Sequence, residues 1–259
     1  MKKFFYTGFA LAIIILSACT NKGETQQREI ELTISAAASL NAALSEIKTN
    51  FEQENKHISL FYNIGGSGTL HQQILQGAPV DIFLSASNVQ FKELTKKGFI
   101  DKHDQVDLLS NQLVLITNKD NPAVFKQFSD LQEGVIKKIA IGTPETVPAG
   151  MYAKQTLQNL GLWEILLPKI IQTKDVSQVL AYVETGNVEA GIVYMTDAKI
   201  SDKVKVVSVA EQDAHDTIIY PAGIIKSSKN KEEAALFLSY LQSTSAKTIF
   251  EKYGFNVLD

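Results

Sequence analysis

The stretch from residue 30 to residue 51 reads IELTISAAASLNAALSEIKTNF and contains a strand followed by a helix. Its first residues are rich in β-branched side chains, which predicts a strand over Ile30–Ala36. A helix is predicted next, because apolar residues recur at the spacing of one helical face: Leu40, Leu44, Ile47 and Phe51. Ser39 stands at the junction, where a serine is expected to cap the helix. This unit sets the pattern for the rest of the chain.

The same alternation of short strands and amphipathic helices continues to the end of the 259 residues. Further strands are predicted over residues 58–64, 81–85, 112–117, 136–141, 191–194, 204–209 and 217–225. Glycines close several of the helices between them: Gly98, Gly161 and Gly186. Such alternation is typical of an α/β fold with mostly parallel sheets flanked by helices. Ligands of such folds bind beyond the carboxyl ends of strands, near helix N-termini.

The N-terminus has the pattern of an export signal. Lys2 and Lys3 precede an apolar run, FALAIIIL at 9–16, that is too short to span a bilayer comfortably. The sequence LSAC at 16–19 resembles the lipobox of bacterial lipoproteins, which implies that residues 1–18 are removed and that Cys19 is acylated. A plain signal peptide with an incidental cysteine is the alternative. Residues 19–29 are then a lipid-anchored flexible tether.

Composition excludes several classes of function. The net charge is −3 and the pI is near 5.9, so nothing indicates nucleic-acid binding. Cys19 is the only cysteine, which leaves no disulfide framework and no thiol chemistry after export. No metal-ligand spacing is present among the scattered histidines: His57, His71, His103 and His215. An enzyme with Ser39 or Ser67 as its nucleophile is disfavoured, because neither motif has a nearby histidine or lysine base.

Four junctions that lead into helices carry small or neutral residues. They are Ala37-Ala38-Ser39, Gly66-Ser67-Gly68, Pro148-Ala149-Gly150 and Asp175-Val176. Taken singly, each has an ordinary interpretation as a cap, a turn or a loop. Together they suggest an anion site, because the first N–H groups of a helix are unsatisfied and carry partial positive charge. Serine hydroxyls add rotatable donors, and glycines let the backbone approach closely. Such a site needs no formal positive charge.

The motifs along the chain resemble those of the molybdate-binding proteins of ABC transporters, which have the type 2 periplasmic-binding fold. The resemblance covers residues 30–258. It rests on AAASL (36–40), GGSGTL-x-x-QI-x-x-GAP-x-DIF-x-SA (65–86), G-x-PE-x-VPAG-x-YAK (142–154), DV (175–176), GIVY-x-TDA (191–198) and YP (220–221).

This resemblance implies a two-lobed fold that closes over a tetrahedral oxyanion held in the cleft between the lobes. It places the ligand donors on Ser39, Ser67, Ala149, Val176 and Tyr194. The implied ligand is molybdate or tungstate, with no other cofactor and with molybdenum present only as the oxyanion. Three acidic residues near these positions are expected to fix loops, because they would repel an anion: Asp81, Glu145 and Asp175.

The implied protein is an extracytoplasmic, lipid-anchored monomer that docks on the membrane subunits of an ABC importer and performs no catalysis. Lobe one is predicted to contain residues 30–110 and 216–259, and lobe two residues 111–215. The single arginine, Arg28, lies in the tether, so the site has no arginine clamp and fits a fully ionised dianion. Sulfate or phosphate as the ligand, and a sensory domain that serves a receptor, remain alternatives.

Overall fold

The computed structural model describes residues 29–122 and 124–258. The predicted signal peptide, Cys19 and all of the tether except Glu29 lie outside these residues. Within the described ranges, no helix combines the length and the apolar character that a membrane crossing requires.

Eleven strands form two sheets in the described part of the chain. In chain order they are β1 (Ile30–Ala37), β2 (Ile58–Gly65), β3 (Ile82–Leu84), β4 (Ile100–Ser110), β5 (Leu113–Asn118), β6 (Ile139–Gly142), β7 (Ile170–Thr173), β8 (Ala190–Tyr194), β9 (Val204–Val209), β10 (Ile219–Ile225) and β11 (Asn256–Val257). The six-stranded sheet has the order β11-β4-β10-β3-β1-β2, and the five-stranded sheet has the order β7-β6-β8-β5-β9. The chain therefore passes between the sheets twice, after β4 and after β9.

Nine helices pack on these sheets in the described residues. They are α1 (Asn41–Glu54), α2 (Ser67–Leu75), α3 (Asn88–Lys96), α4 (Pro148–Asn159), α5 (Trp163–Leu166), α6 (Val176–Glu184), α7 (Met195–Lys199), α8 (Lys231–Tyr240) and α9 (Thr244–Lys252). The predicted buried face of α1 is confirmed, since Leu44, Ile47 and Phe51 are inaccessible to solvent. The predicted α/β class with helix-flanked, mixed sheets is confirmed. The residue boundaries of the two lobes stay a prediction.

Parallel pairing is less extensive than the alternating pattern predicted. β1 pairs in parallel with β2 and β3, and β6 pairs in parallel with β7 and β8. The other five pairings between described strands are antiparallel and involve β4, β5 and β10. These three strands flank the two passages between the sheets. They run against the strands beside them, so the parallel βαβ units are confined to one part of each sheet.

Ser39 does not cap α1, which corrects the prediction. A short 3-10 turn over Ala38–Leu40 precedes the helix, so Ser39 already lies inside a helical turn. An N-cap residue needs the non-helical conformation just before the first turn, and Ser39 does not have it. Its Oγ instead lies 3.0 Å from the hydroxyl of Tyr220.

Gly150 allows the start of α4 to pack against the end of β6. A Cβ atom at this position would lie 1.9 Å from the carbonyl oxygen of Gly142, which is a backbone atom and cannot move aside alone. The sequence motif Pro-Ala-Gly is thus explained by a close approach of two backbones.

We expect Gly150→Ala to lower the free energy of unfolding by about 2 kcal/mol or more, in the upper range of single substitutions, since the strand and the helix must separate. Gly134→Ala is the matched control, because a Cβ there meets no atom within 4 Å. Urea denaturation checks both variants. Equal midpoints for the two would contradict this account of Gly150.

Asp197 is a buried carboxylate at the start of α7. Its Oδ2 accepts a hydrogen bond from the backbone N–H of Tyr194 at 3.1 Å, and Asp197 as a whole is 2% exposed. Burial raises the pKa of this carboxyl from 3.8 to about 7. The folded state therefore binds a proton at Asp197 that the unfolded chain releases at lower pH.

This shift predicts a contribution to stability that is lost as the pH rises from about 4 to about 7, since a raised folded-state pKa favours folding only while the carboxyl is protonated. Asp197→Asn keeps an oxygen acceptor and should abolish this part of the pH dependence. Unfolding midpoints of both proteins across this range, without added anions, measure the difference. Asp130→Asn is the control of opposite sign, because the backbone N–H of Lys126 lowers the pKa of Asp130. If the difference in unfolding midpoint between the wild-type protein and Asp197→Asn does not change with pH, this pH dependence does not come from Asp197.

Candidate functional site

A small cavity lies where strands of both sheets end and helices begin. Twelve residues line it: Ala37, Ala38, Ser39, Gly65, Gly66, Ser67, Ala86, Val147, Pro148, Ala149, Val176 and Tyr194. All five residues predicted as ligand donors are in this set. Each of the five is buried, with exposures between 0% and 8%. The structure therefore brings together four junctions and one strand end that are far apart in the sequence.

The cavity is small and its lining is uncharged. Its volume is about 10 Å³, whereas four surface depressions elsewhere on the described residues have volumes between about 390 and 570 Å³. None of its lining residues is acidic or basic. This space suits a ligand of a few atoms, and recognition must come from neutral groups.

Helix N-termini supply the backbone donors of the cavity. Ser67 is the first residue of α2, Ala149 is the second residue of α4 and Val176 is the first residue of α6. Peptide N–H groups in the first turn of a helix have no partner within the helix. They also lie at the positive end of the helix dipole. Three such ends at one cavity create a favourable environment for an anion.

Both serines at the cavity are held by hydrogen bonds from residues distant in the chain. The backbone N–H of Ala86 donates to Ser67 Oγ at 3.0 Å. Ser39 Oγ and the hydroxyl of Tyr220 are 3.0 Å apart. These contacts fix the positions of both oxygen atoms at the cavity wall before any ligand is bound.

Tyr194 ends β8 with a hydroxyl that has no hydrogen-bond partner among the described residues, although the atom is buried. Its ring packs against Tyr220, with 5.8 Å between ring centroids, and against Tyr152 at 6.5 Å. Burial raises the pKa of Tyr194 well above its usual value, so the phenol stays protonated at neutral pH. A buried, unsatisfied donor is costly unless a ligand accepts its proton.

The two sheets approach each other directly beside the cavity. The backbone N–H of Gly68 donates to the carbonyl oxygen of Thr146 at 2.9 Å. A Cβ on Gly66 would lie 2.8 Å from that oxygen, and a Cβ on Gly68 would lie 2.8 Å from the Cα of Thr146. The start of α2 can therefore contact the loop before α4 only because glycines occupy these two positions.

The acidic residues near the site have structural partners and do not line the cavity. Asp81 accepts hydrogen bonds from the N–H of Thr33 at 2.8 Å and from the hydroxyl of Ser228 at 2.6 Å. Asp175 caps α6 by accepting from the N–H of Gln178 at 2.8 Å. The prediction that these two carboxylates fix loops is confirmed. Glu145 is exposed to solvent.

Sequence reasoning missed a layer of polar residues behind the cavity. In the sequence Tyr220 stands out only as part of the YP motif, which indicates no role for it, whereas in the structure it is 1% exposed and lies behind Ser39. Asn111 gave no signal, and its amide contacts both Tyr220 and Thr196. These contacts span 85 to 181 positions in the chain, so no local pattern could have revealed them.

Comparisons with known proteins place the chain in a family. A sequence profile described as bacterial extracellular solute-binding protein matches residues 32–256. A Bacillus subtilis (strain 168) protein, YvgL, named as a candidate ABC transporter substrate-binding lipoprotein, is 48% identical over 246 residues, which are 94% of each chain. The molybdate-binding protein ModA of Escherichia coli (strain K12) is 37% identical over 243 residues, which cover 91% of this chain and 92% of that one. A solved substrate-binding domain of a candidate molybdenum ABC transporter from Clostridium difficile is 41% identical with a TM-score of 0.68, covering 89% of this chain and 100% of that one. This chain therefore belongs to the family of bacterial extracellular solute-binding proteins.

Proposed function

We propose that this protein captures molybdate or tungstate outside the cytoplasm and delivers it to the membrane subunits of an ABC importer. The observation that carries the proposal is the meeting of Ser39, Ser67, Ala149, Val176 and Tyr194 around one small cavity with no charged side chain in its lining. These residues offer three hydroxyls and the N–H groups of helix starts. A tetrahedral dianion has four oxygen acceptors that match such a set of neutral donors.

Size rather than charge must select among dianions in this site. Metal–oxygen bonds are longer than sulfur–oxygen bonds, so molybdate and tungstate need a slightly wider cavity than sulfate. The relatives named for molybdate or molybdenum support the larger anions as ligands of this chain. Sulfate remains the alternative ligand for the same fold.

Transport rather than catalysis is the role that fits the contacts of the two serines. Ser67 Oγ meets a backbone N–H and Ser39 Oγ meets a tyrosine hydroxyl, so neither is paired with a general base in the described structure. The lipoprotein name of the Bacillus subtilis relative supports an anchor on Cys19. We infer a lipid-anchored monomer at the outer face of a bacterial membrane.

Closure of two lobes over the anion follows from the position of the donors. Ser39 and Ser67 follow β1 and β2 of the six-stranded sheet. Ala149 and Val176 follow β6 and β7 of the five-stranded sheet, and Tyr194 ends its strand β8. An anion that bonds to both groups favours the closed arrangement over an open one, because only the closed form completes its coordination. The passages near residues 111 and 216 then act as the hinge.

Isothermal titration of residues 20–259 with molybdate, tungstate, sulfate and phosphate tests the proposal. The expected result is tight one-to-one binding of molybdate and tungstate with sulfate and phosphate silent. Binding of sulfate with silence toward the two metal oxyanions would change the ligand and keep the fold. Silence toward all four would reject the proposed function.

In the same titration, Ser67→Ala should weaken molybdate binding by about 10- to 100-fold, since one hydrogen bond to a charged ligand contributes about 1.5–3 kcal/mol. Ser35→Ala is the matched control. Ser35 is equally buried and its hydroxyl accepts from the amide of Asn63 at 3.3 Å, but it does not line the cavity. Equal molybdate affinities of the two variants would show that Ser67 does not contribute to binding.

Gly68→Ala tests the closed contact beside the cavity. The added methyl group would clash with the backbone of Thr146 only when the sheets approach, so we expect molybdate affinity to fall by about tenfold or more while the unfolding midpoint of the ligand-free protein changes little. The Gly134→Ala protein again serves as the control. An unchanged affinity would show that binding does not need this contact.

A further inference from the structure

The hydrogen bonds behind Ser39 form a chain with a defined direction. This series of hydrogen bonds starts at Asn111, which lies between β4 and β5, where the polypeptide first passes between the sheets. It continues through Tyr220 on β10, just after the second passage, and it ends at Ser39 in the cavity wall. Neither Asn111 nor Tyr220 lines the cavity itself.

The orientation of the Asn111 amide is set by its neighbours. Its Oδ1 accepts from the backbone N–H of Gln112 at 2.9 Å, so the opposite atom of the amide is the NH2 group. That group lies 2.9 Å from the hydroxyl oxygen of Thr196 and 3.2 Å from the hydroxyl oxygen of Tyr220. Both of its protons are thus donated, and the oxygen of Tyr220 accepts one of them.

Tyr220 must therefore donate its own proton elsewhere. A phenol has one proton, and Ser39 Oγ at 3.0 Å is the remaining group within hydrogen-bonding distance of its hydroxyl in the described residues. The hydroxyl of Tyr194 also interacts with that of Tyr220, but the two do not meet the geometry of a hydrogen bond, and this interaction raises the pKa of Tyr194, as expected for a donor toward Tyr220. Burial raises the pKa of Tyr220 well above its usual value, which keeps the phenol protonated and able to donate. Ser39 Oγ is consequently an acceptor toward Tyr220.

The proton of Ser39 is then available only to the cavity. No other hydrogen bond of its side chain occurs within the described structure. The same reasoning applies to Ser67, whose Oγ accepts from the N–H of Ala86 at 3.0 Å. Tyr194 adds a third hydroxyl, buried and without a partner among residues 29–122 and 124–258. All three hydroxyls can thus donate hydrogen bonds to a ligand, and none of them needs to accept one from it.

We propose that Asn111 and Tyr220 are specificity-determining residues that fix Ser39 as a hydrogen-bond donor, so that the cavity selects fully deprotonated tetrahedral anions and rejects anions that carry a proton. This proposal rests on the proposed function and deepens it. An anion with an O–H group brings a donor into a cavity of donors. Its proton finds no acceptor there, and one of the cavity protons loses its partner. Tyr220 and Asn111 act through Ser39 and are positioning residues.

The test compares molybdate with hydrogen arsenate by titration of residues 20–259 at about pH 8, above the second ionisation of such oxyacids. Both probes are then tetrahedral dianions, and only the arsenate carries a proton. In Tyr220→Phe the Ser39 hydroxyl loses its fixed donor and can rotate to accept. We expect the ratio of molybdate affinity to arsenate affinity to fall by about tenfold or more.

Asn111→Asp provides a second variant that should reverse the chain. A carboxylate accepts from Tyr220, whose oxygen then accepts from Ser39, so that Ser39 presents a lone pair to the cavity. The affinity ratio should fall at least as far as in Tyr220→Phe. The added negative charge cannot explain this change, because it repels both dianions alike.

Two controls separate this role from a merely structural one. Tyr240→Phe also removes a buried hydroxyl that has no partner in the described part of the chain, but Tyr240 does not line the cavity, so this variant should leave the ratio unchanged. In a Ser39→Ala background, Tyr220→Phe should no longer alter the ratio, because its effect passes through Ser39.

The outcomes are distinct. A lower ratio in both Tyr220→Phe and Asn111→Asp, lost in the Ser39→Ala background, supports the proposal. Equal losses of affinity for both anions, or an unchanged ratio with tight molybdate binding, overturn it and leave the proposed function intact. A wild-type protein that does not bind molybdate overturns the proposed function itself, and this inference with it.

Discussion

Backbone N–H groups that have no partner inside their own helices determine what the cavity of this protein can bind. The starts of α2, α4 and α6 meet at one point, and each brings peptide dipoles with their positive ends toward the same small space. Such a meeting requires that strands from two sheets end together, and that backbones approach more closely than side chains normally allow. The glycines at 66, 68 and 150 meet the second requirement.

A site of this kind favours an anion although no cationic side chain lines it. A lysine at the cavity would bring a mobile, strongly solvated charge, whereas helix starts are rigid and already oriented. The hydroxyls of Ser39, Ser67 and Tyr194 complete a set of donors held in place by their surroundings. Recognition then depends on geometry and on the direction of each hydrogen bond, because the wall has no net charge that would attract every anion equally.

The polar layer behind the cavity connects the site to the passages between the sheets. Asn111 contacts Thr196 near the five-stranded sheet and Tyr220 on the six-stranded sheet, and Tyr220 contacts Ser39. The residues that direct the proton of Ser39 therefore lie where the two sheets are joined by the chain. A transport protein must release its ligand as well as hold it, and donors divided between two sheets are separated when the sheets move apart.

Local sequence patterns were sufficient to predict the α/β class, the buried faces of the main helices and the junctions that line the cavity. These features depend on local periodicity and on small residues at strand-to-helix transitions, such as Gly66-Ser67-Gly68. The sequence did not reveal β4, whose residues from 101 to 107 are mostly polar, or β7 and β11, which are too short to show a period. The sequence pattern also misplaced Ser39 as a helix cap. A serine just before a helix can be either the N-cap residue or part of a 3-10 turn that leads into the helix, and the two cases have the same local sequence pattern. Three features could be read from the folded molecule alone: the antiparallel pairing of β4, β5 and β10, the close approach of Gly150 to Gly142, and the hydrogen bonds from Asn111 through Tyr220 to Ser39. Each of these features depends on atoms that folding brings together from distant positions in the chain or from opposite sides of a turn. Which group donates and which accepts in a hydrogen bond is defined only when those atoms are in contact.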